Sequence, residues 1–223
     1  LGLKCARFEA RISGLDAKDF PPIPKVDEGI TTRVEVEAFR QAISQVAFAA
    51  ATEESRPVLT GVNAQFENGL LTLAAADGFR LAVYKVALTT PVSSKTEVII
   101  PARTLAELNR LIGDGDETVD ITVNASKGQI LFRLKDIELV SQLIQGSFPQ
   151  YNQLIPASFT SRVVVDVAEF LRATKTATIF ARDGSGIVRL LVTPSEGKAA
   201  AKLVISARSE EIGDNVGEWQ ISH

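Results

Sequence analysis

Cysteine, histidine, methionine and tryptophan are almost absent from this chain: its 223 residues include one Cys, one His, one Trp and no Met. A lone Cys5 excludes an internal disulfide or a cysteine-held metal cluster and fits a reducing compartment; Cys5 itself falls in an expected strand. The one histidine, His223, is terminal, which leaves little basis for an imidazole-activated nucleophile or a histidine metal cage. No apolar run approaches the roughly 20 residues of a membrane span, and no charged-then-apolar leader opens the chain. The expectation is a cytoplasmic protein with no membrane partner. With Leu1 in front and no Met anywhere, it is expected to be an internal piece of a longer protein.

Positive charge is also short. Lys and Arg number 24 against 27 Asp and Glu, a formal net charge of −3. That argues against a generic polyanion binder, so any contact with nucleic acid needs a locally basic surface. Signatures of catalysis are missing as well: there is no phosphate loop and no metal-ligand spacing. Asp114 and Asp116 in GDGDE raise a cation site, or a metal-dependent hydrolase or nuclease, but the EF-hand spacing is lacking and a solvated turn after a helix is the better reading. No active site, cofactor or metal is assigned.

What is present is organised around Leu70 to Leu88, LLTLAAADGFRLAVYKVAL. It predicts two strands joined by a tight two-residue turn at Asp77 and Gly78, because Asp-Gly supplies the positive backbone angles of such a hairpin. Asp77 is then a turn residue rather than a general base. Phe79 and Arg80 follow at the lip of the sheet.

Taken in order, Lys4 to Ile12 alternates as a strand with one buried face. Phe20 to Pro24 is proline-rich, extended linker. After Arg33-Val-Glu-Val comes a helix over Glu37 to Ala51, with Phe39, Ala42, Ile43, Val46, Ala47 and Ala50 on one face and Glu37 at its positive start. Strands are expected at Val58 to Phe66, with a turn at Asn68-Gly69, and at Val98 to Ile100. A second helix, Thr104 to Ile112, buries Leu105, Leu108, Leu111 and Ile112. Alternation at Val119 to Val123 and Ile130 to Leu134, then Leu139 to Ile144, completes the set.

The plan then repeats. Phe148-Pro149 echoes Phe20-Pro21, Val163 to Asp166 echoes Arg33 to Val36, and a helix over Val167 to Ala181 presents Phe170, Ala173, Thr174 and Ala177. Strands follow at Val188 to Val192 and Ala200 to Ala207, with little pattern after Gly213, so that Trp219 and His223 stay unmatched. A period of roughly 130 residues suits tandem whole domains rather than a solenoid. Residues 1–26 read as the tail of one domain and a linker, 27–156 as a complete domain, and 157–223 as the front half of another. The long cations of the helices are Arg40, Arg103, Arg110, Arg172 and Lys175, opposed chiefly by Glu107. They fit either a phosphate footprint without base reading or an ordinary solvated helix face.

Four segments carry a resemblance: SRPVLTGV (55–62), AADGFRLAV (75–83), VIIPARTLAEL (98–108) and LIQGSFPQY (143–151). In order and spacing they resemble the bacterial sliding clamp family, the beta subunit of DNA polymerase III. The resemblance covers nearly the whole chain, which lacks most of the family's first domain and the second half of its third. It implies an α+β fold of tandem DNA-clamp domains, each with antiparallel sheets outside and two helices on the inner face. It further implies a non-catalytic homodimer ring around duplex DNA, opened by a clamp loader and tethering the DNA polymerase III alpha subunit and other clamp-binding proteins; this fragment is not expected to close such a ring. The family's cleft between second and third domains takes a short peptide rich in Gln, Leu and Phe. The matching positions are Leu59, Ala76, Gly78, Phe79, Arg80, Leu81 and Pro156. Ala76 and Phe79 stand where Thr and His are more common, which makes for a more apolar pocket. The positions matched to DNA-facing cations are Arg103 and Arg110, with Arg40, Arg56, Arg172 and Lys175 beside them; Arg56 could equally pack against Pro57. The alternative is a non-DNA interaction scaffold of repeated domains with incidental helix charges.

Overall fold

The chain is described by a computed structural model over residues 1–20, 26, 28–113, 115, 117–126, 128–181, 186–194 and 201–220. Its contacts divide it into two units, Leu1–Asn152 and Gln153–His223. Each is α+β, and every strand pair in both is antiparallel. Pro21 to Pro24, Asp114, Asp116, Ala200 and His223 lie outside the described residues.

In the first unit, the stretch expected as one strand with a buried face is a hairpin instead. β1 (Gly2–Cys5) pairs with β2 (Phe8–Arg11), and both strands are exposed on both faces. The fold-back falls at Ala6, whose φ of +49° breaks the extended run. Cys5 is in β1, exposed.

The remaining strands form one sheet, and apolar periodicity decides what the helices bury. β3 (Ile30–Glu35) leads into α1 (Val36–Val46), started by the Glu35 carboxylate, which accepts the Ala38 N–H at 2.9 Å. Val36, Phe39, Ala42, Ile43 and Val46 form its buried stripe. The helix stops five residues short of the expected Ala51, because the backbone tightens into a 3-10 turn over Ala47–Ala49. Likewise the strand expected from Val58 starts only at Gly61. Proline at the head of Pro57–Thr60 sets a second 3-10 turn, closed by the Thr60 hydroxyl donating to the Pro57 carbonyl at 2.7 Å.

β4 (Gly61–Glu67) and β5 (Leu70–Ala76) meet at the anticipated two-residue turn, Asn68 and Gly69, with φ of +48° and +78°. β6 (Leu81–Thr90) and β7 (Thr96–Pro101) follow, then α2 (Ala102–Leu111), which begins and ends slightly earlier than its periodicity suggested. β8 (Thr118–Asn124), β9 (Gln129–Arg133) and β10 (Glu138–Gln142) complete the order β10-β9-β8-β3-β6-β5-β4-β7. The two outer strands do not stay apart: just past β10, Ile144 bridges to Ile99 of β7, its N–H donating to the Ile99 carbonyl at 2.9 Å. The bridge occupies the outer edge of β7 at Ile99 alone. α1 and α2 bury their stripes against the sheet, where Phe39 and Phe132 approach to 6.2 Å between ring centroids and Phe66, Leu105 and Leu108 fill the core.

The second unit is smaller. α3 (Val167–Ala181) has the anticipated bounds, and the Asp166 carboxylate accepts the Glu169 N–H at 2.9 Å at its start. Val163 to Asp166, expected to echo β3, belongs to no ladder among the described residues. β11 (Arg189–Thr193), β12 (Lys202–Ser209) and β13 (Gly213–Gln220) form a three-stranded sheet. β13 corrects the expectation that pattern ends at Gly213: it pairs with β12 along its whole length, and Trp219 packs on the core of Ala173, Ala177, Leu203 and Ile205.

Candidate functional site: an apolar cleft and exposed helix arginines

The turn at the lip of the β5–β6 hairpin is four residues long, not two, since Ala76 pairs with Leu81 and Asp77 to Arg80 span the gap. The Asp77 side chain dictates the length. One carboxylate oxygen accepts the N–H groups of Phe79 and Arg80 at 2.9 and 3.0 Å, and the other accepts Nε of Arg80 at 2.9 Å. Those backbone donors, Phe79 first, hold the Asp77 carboxyl below its ordinary range, with the Arg80 guanidinium adding to them. Gly78 completes the turn at φ +95°, a region other residues enter only with strain. So tethered, the loop presents Phe79 entirely to solvent, 100% exposed.

Below the loop lies a cleft of about 200 Å³ whose walls include Ala50, Ala51, Leu59, Arg56, Asp77, Phe79 and Arg80. Leu59 of its wall belongs to a satellite apolar cluster separate from the main core, built on Leu59, Ala74, Ile99 and Phe148 with Ala51, Ala76 and Val83 packed against it. A second recess of about 600 Å³ lies alongside and shares Ala50, Ala51 and Thr52 with the first. The Arg80 guanidinium lies over the Phe48 ring, 5.6 Å from its centroid, a cation–π contact that fixes the arginine between its aspartate and an aromatic face.

Of the residues assigned to a peptide cleft, Leu59, Phe79 and Arg80 line this one. Ala76 and Leu81 are half-buried beside it, and Gly78 is in its loop. Pro156 is exposed and belongs to the second unit. The chain's sequence pattern missed Ala50 and Ala51 of this cleft and Phe48 of the recess beside it, which it read as a continuing helix; the helix gives way to a 3-10 turn at 47–49.

The cations assigned to DNA fall in different surroundings. Arg40 of α1 lines an open groove with Gln41, Ser44 and Asn109 of α2. Arg103 lines the recess beside Phe48. Arg110 pairs with Glu107 one turn earlier, Nη2 to Oε1 at 2.6 Å, which lowers the pKa of the carboxyl and raises that of the guanidinium. Arg56 sits against the Gly78 loop in the cleft rather than on a helix. Arg172 and Lys175 are exposed on α3 in the second unit. Among the described residues no three His, Cys, Asp or Glu side chains gather as metal ligands would, and no helix is long and apolar enough to cross a membrane.

A family profile described as DNA polymerase III beta subunit, central domain, matches residues 33–150. The chain is 34% identical over 212 residues to the beta sliding clamp of Bacillus subtilis, covering 95% of this chain and 54% of that one. It is 35% identical over 205 residues to the beta sliding clamp of Staphylococcus aureus, covering 92% and 52%. The crystal structure of the Bacillus subtilis sliding clamp superposes on all of the chain, and on 57% of its own, at a TM-score of 0.87 and 32% identity. The chain thus spans about half the length of the curated relatives it matches.

Proposed function

The chain belongs to the family of the bacterial DNA polymerase III beta subunit, and from that premise we propose that it is part of a processivity clamp. In this reading residues 27–156 are a complete clamp domain, 1–26 the tail of the domain before it, and 157–223 the front of the one after it. The whole protein is a non-catalytic, cytoplasmic homodimer that surrounds duplex DNA and tethers the replicative polymerase, its loader and other partners. The observation that carries the reading is likeness along the full chain to a solved clamp, at a TM-score of 0.87. The exposed Arg103 and Arg110 of α2, with the half-buried Arg40 of α1, support it, because a ring that holds DNA by topology needs only loose, counterion-mediated phosphate contacts. Full-length protein retained on circular DNA and lost on linearised DNA is the expected outcome; equal retention on both overturns encirclement.

The cleft under the 77–80 loop then takes the apolar anchors of a partner peptide, with Leu59, Phe79 and Leu81 as walls. Phe79→Ala, in a full-length background, is expected to weaken a Gln-, Leu- and Phe-containing peptide by about 1 kcal/mol or more, as truncation of an apolar anchor does. Unchanged affinity by calorimetry would remove the assignment.

A scaffold that does not touch DNA is the second reading. It is favoured by the pairing of Arg110 with Glu107 and by the placement of Arg56 in the cleft, which thin the free positive charge of the first unit. The same retention assay separates the two.

A further inference from the structure

Beside the bridge that joins Ile99 to Ile144 is a recess of about 350 Å³ that the clamp reading does not use. Its polar lining among the described residues is Asn63, Glu97, Gln145, Ser147 and Gln150, and no described lysine, arginine or histidine contributes to it. Glu97 is exposed, and one of its oxygens accepts Nδ2 of Asn63 at 3.0 Å. Asn63 is only 2% exposed, yet its own Oδ1 has no donor. A buried amide oxygen without a partner is rare in folded proteins and marks a place where a donor belongs. β7, which supplies Glu97, has one ladder partner, β4, and past the Ile99 bridge its other edge is open among the described residues.

We propose that this recess receives the ammonium group of a lysyl side chain carried by an extended partner polypeptide. A surplus of acceptors, one carboxylate and no cation among the described lining residues suit a positively charged donor and repel an anion. A hard divalent ion is a poorer match, because such ions gather several carboxylates. A guanidinium prefers both oxygens of a carboxylate at once, and one oxygen of Glu97 already serves Asn63. An ammonium is compact, with three rotatable donors, and asks for a single free oxygen. Its methylene stem finds apolar wall in Val98, Leu143 and the buried Phe148. The open edge of β7 supplies main-chain hydrogen bonds to an extended peptide, which points to a polypeptide rather than a free amine.

The test titrates the 223-residue chain, by amide chemical shifts, with Nα-acetyl-lysine methylamide, its norleucine isostere, butylammonium, and a short extended peptide centred on lysine. The lysyl compound is expected to bind at least about tenfold more tightly than norleucine, the worth of a charge-assisted hydrogen bond. The peptide is expected to bind more tightly than the lysyl amide. Glu97→Gln, which keeps an acceptor for Asn63 and so leaves the fold intact, is expected to erase the lysine preference. A second readout is Tyr151, whose phenol is pushed up by burial and, after that, by the negative charge of Glu97. Among two tyrosines in the chain, its ultraviolet titration moves down in Glu97→Gln. Equal binding of lysyl and norleucyl compounds, or a preference that survives Glu97→Gln, overturns the site. Butylammonium binding as tightly as the peptide overturns the polypeptide partner.

Discussion

The two units begin from one plan, a helix laid across an antiparallel sheet, and fill it with side chains of different size. α1 buries Phe39 and Ile43 against Phe66, Leu73 and Phe132, whereas α3 buries Ala173, Ala177 and Ala181 against Leu203, Ile205 and Ala207. An alanine stripe lets a helix approach its sheet closely but removes far less apolar area from water, at about 25 cal/mol per Å². The edges differ too. The first unit joins its outer strands through Ile99 and Ile144, while β11 of the second leaves Leu190 and Leu191 more than half exposed, at 53% and 56%. Spacing of apolar residues thus sets which face a helix turns inward, and side-chain volume sets how much stability results.

Two substitutions test that contrast. Phe39→Ala removes a large, fully buried ring from the first core and is expected to cost about 3–5 kcal/mol, because the cavity collapses only in part. Urea unfolding followed by far-ultraviolet circular dichroism measures it; a loss under about 1 kcal/mol would mean that this core is as yielding as the alanine-lined one. Ala177→Leu makes the opposite change. Ala177 is fully buried where α3 lies on β12, and extra methylenes there are expected to cost about 1–3 kcal/mol by overpacking. Trp219, the sole tryptophan, packs on that same core and reports its unfolding by fluorescence. A neutral or stabilising result would show a loose interface, and the contrast would then be one of packing quality rather than of volume.

The same contrast explains what could be read from the sequence. Wherever structure follows from neighbours along the chain it was legible: the stripe of α1, the bounds of α3 and the positive-φ turn at Asn68 and Gly69; that Leu59, Phe79 and Arg80 line one cleft was carried by the resemblance instead. β13 was not, because its inward positions Asn215, Gly217 and Trp219 show no apolar alternation and β12 alone gives them a partner. The Ile99–Ile144 bridge joins distant segments and has no local signature. Phe48 was lost to a helix that periodicity continues and the backbone does not. At residues 77–80 the Asp-Gly pair announced a turn correctly, but its length follows from three hydrogen bonds to one carboxylate, which a two-residue template omits.

That carboxylate supplies the smallest and sharpest test. The folded pKa of Asp77 lies below its ordinary 3.8, mainly because Phe79 and Arg80 donate backbone N–H groups to the charged form. Between the folded and unfolded values the unfolded chain binds more protons, so stability rises with pH across that window. The contribution is complete above the unfolded value and is lost as pH falls through the folded one. Glu67, held down chiefly by Lys95 with Gln65 second, and Glu107, held down by Arg110, act in the same direction, so total acid sensitivity does not isolate the loop. Asp77→Asn does, since an amide oxygen can still accept the two N–H groups but no longer titrates. Amide exchange at Phe79 and Arg80, compared between roughly pH 5 and pH 3, is expected to quicken beyond its intrinsic rate as the native carboxylate is protonated. In the variant that extra quickening is expected to vanish. If both proteins lose protection alike, the loop is held by Gly78 and the Arg80–Phe48 contact instead, and the aspartate is a passenger in its own turn.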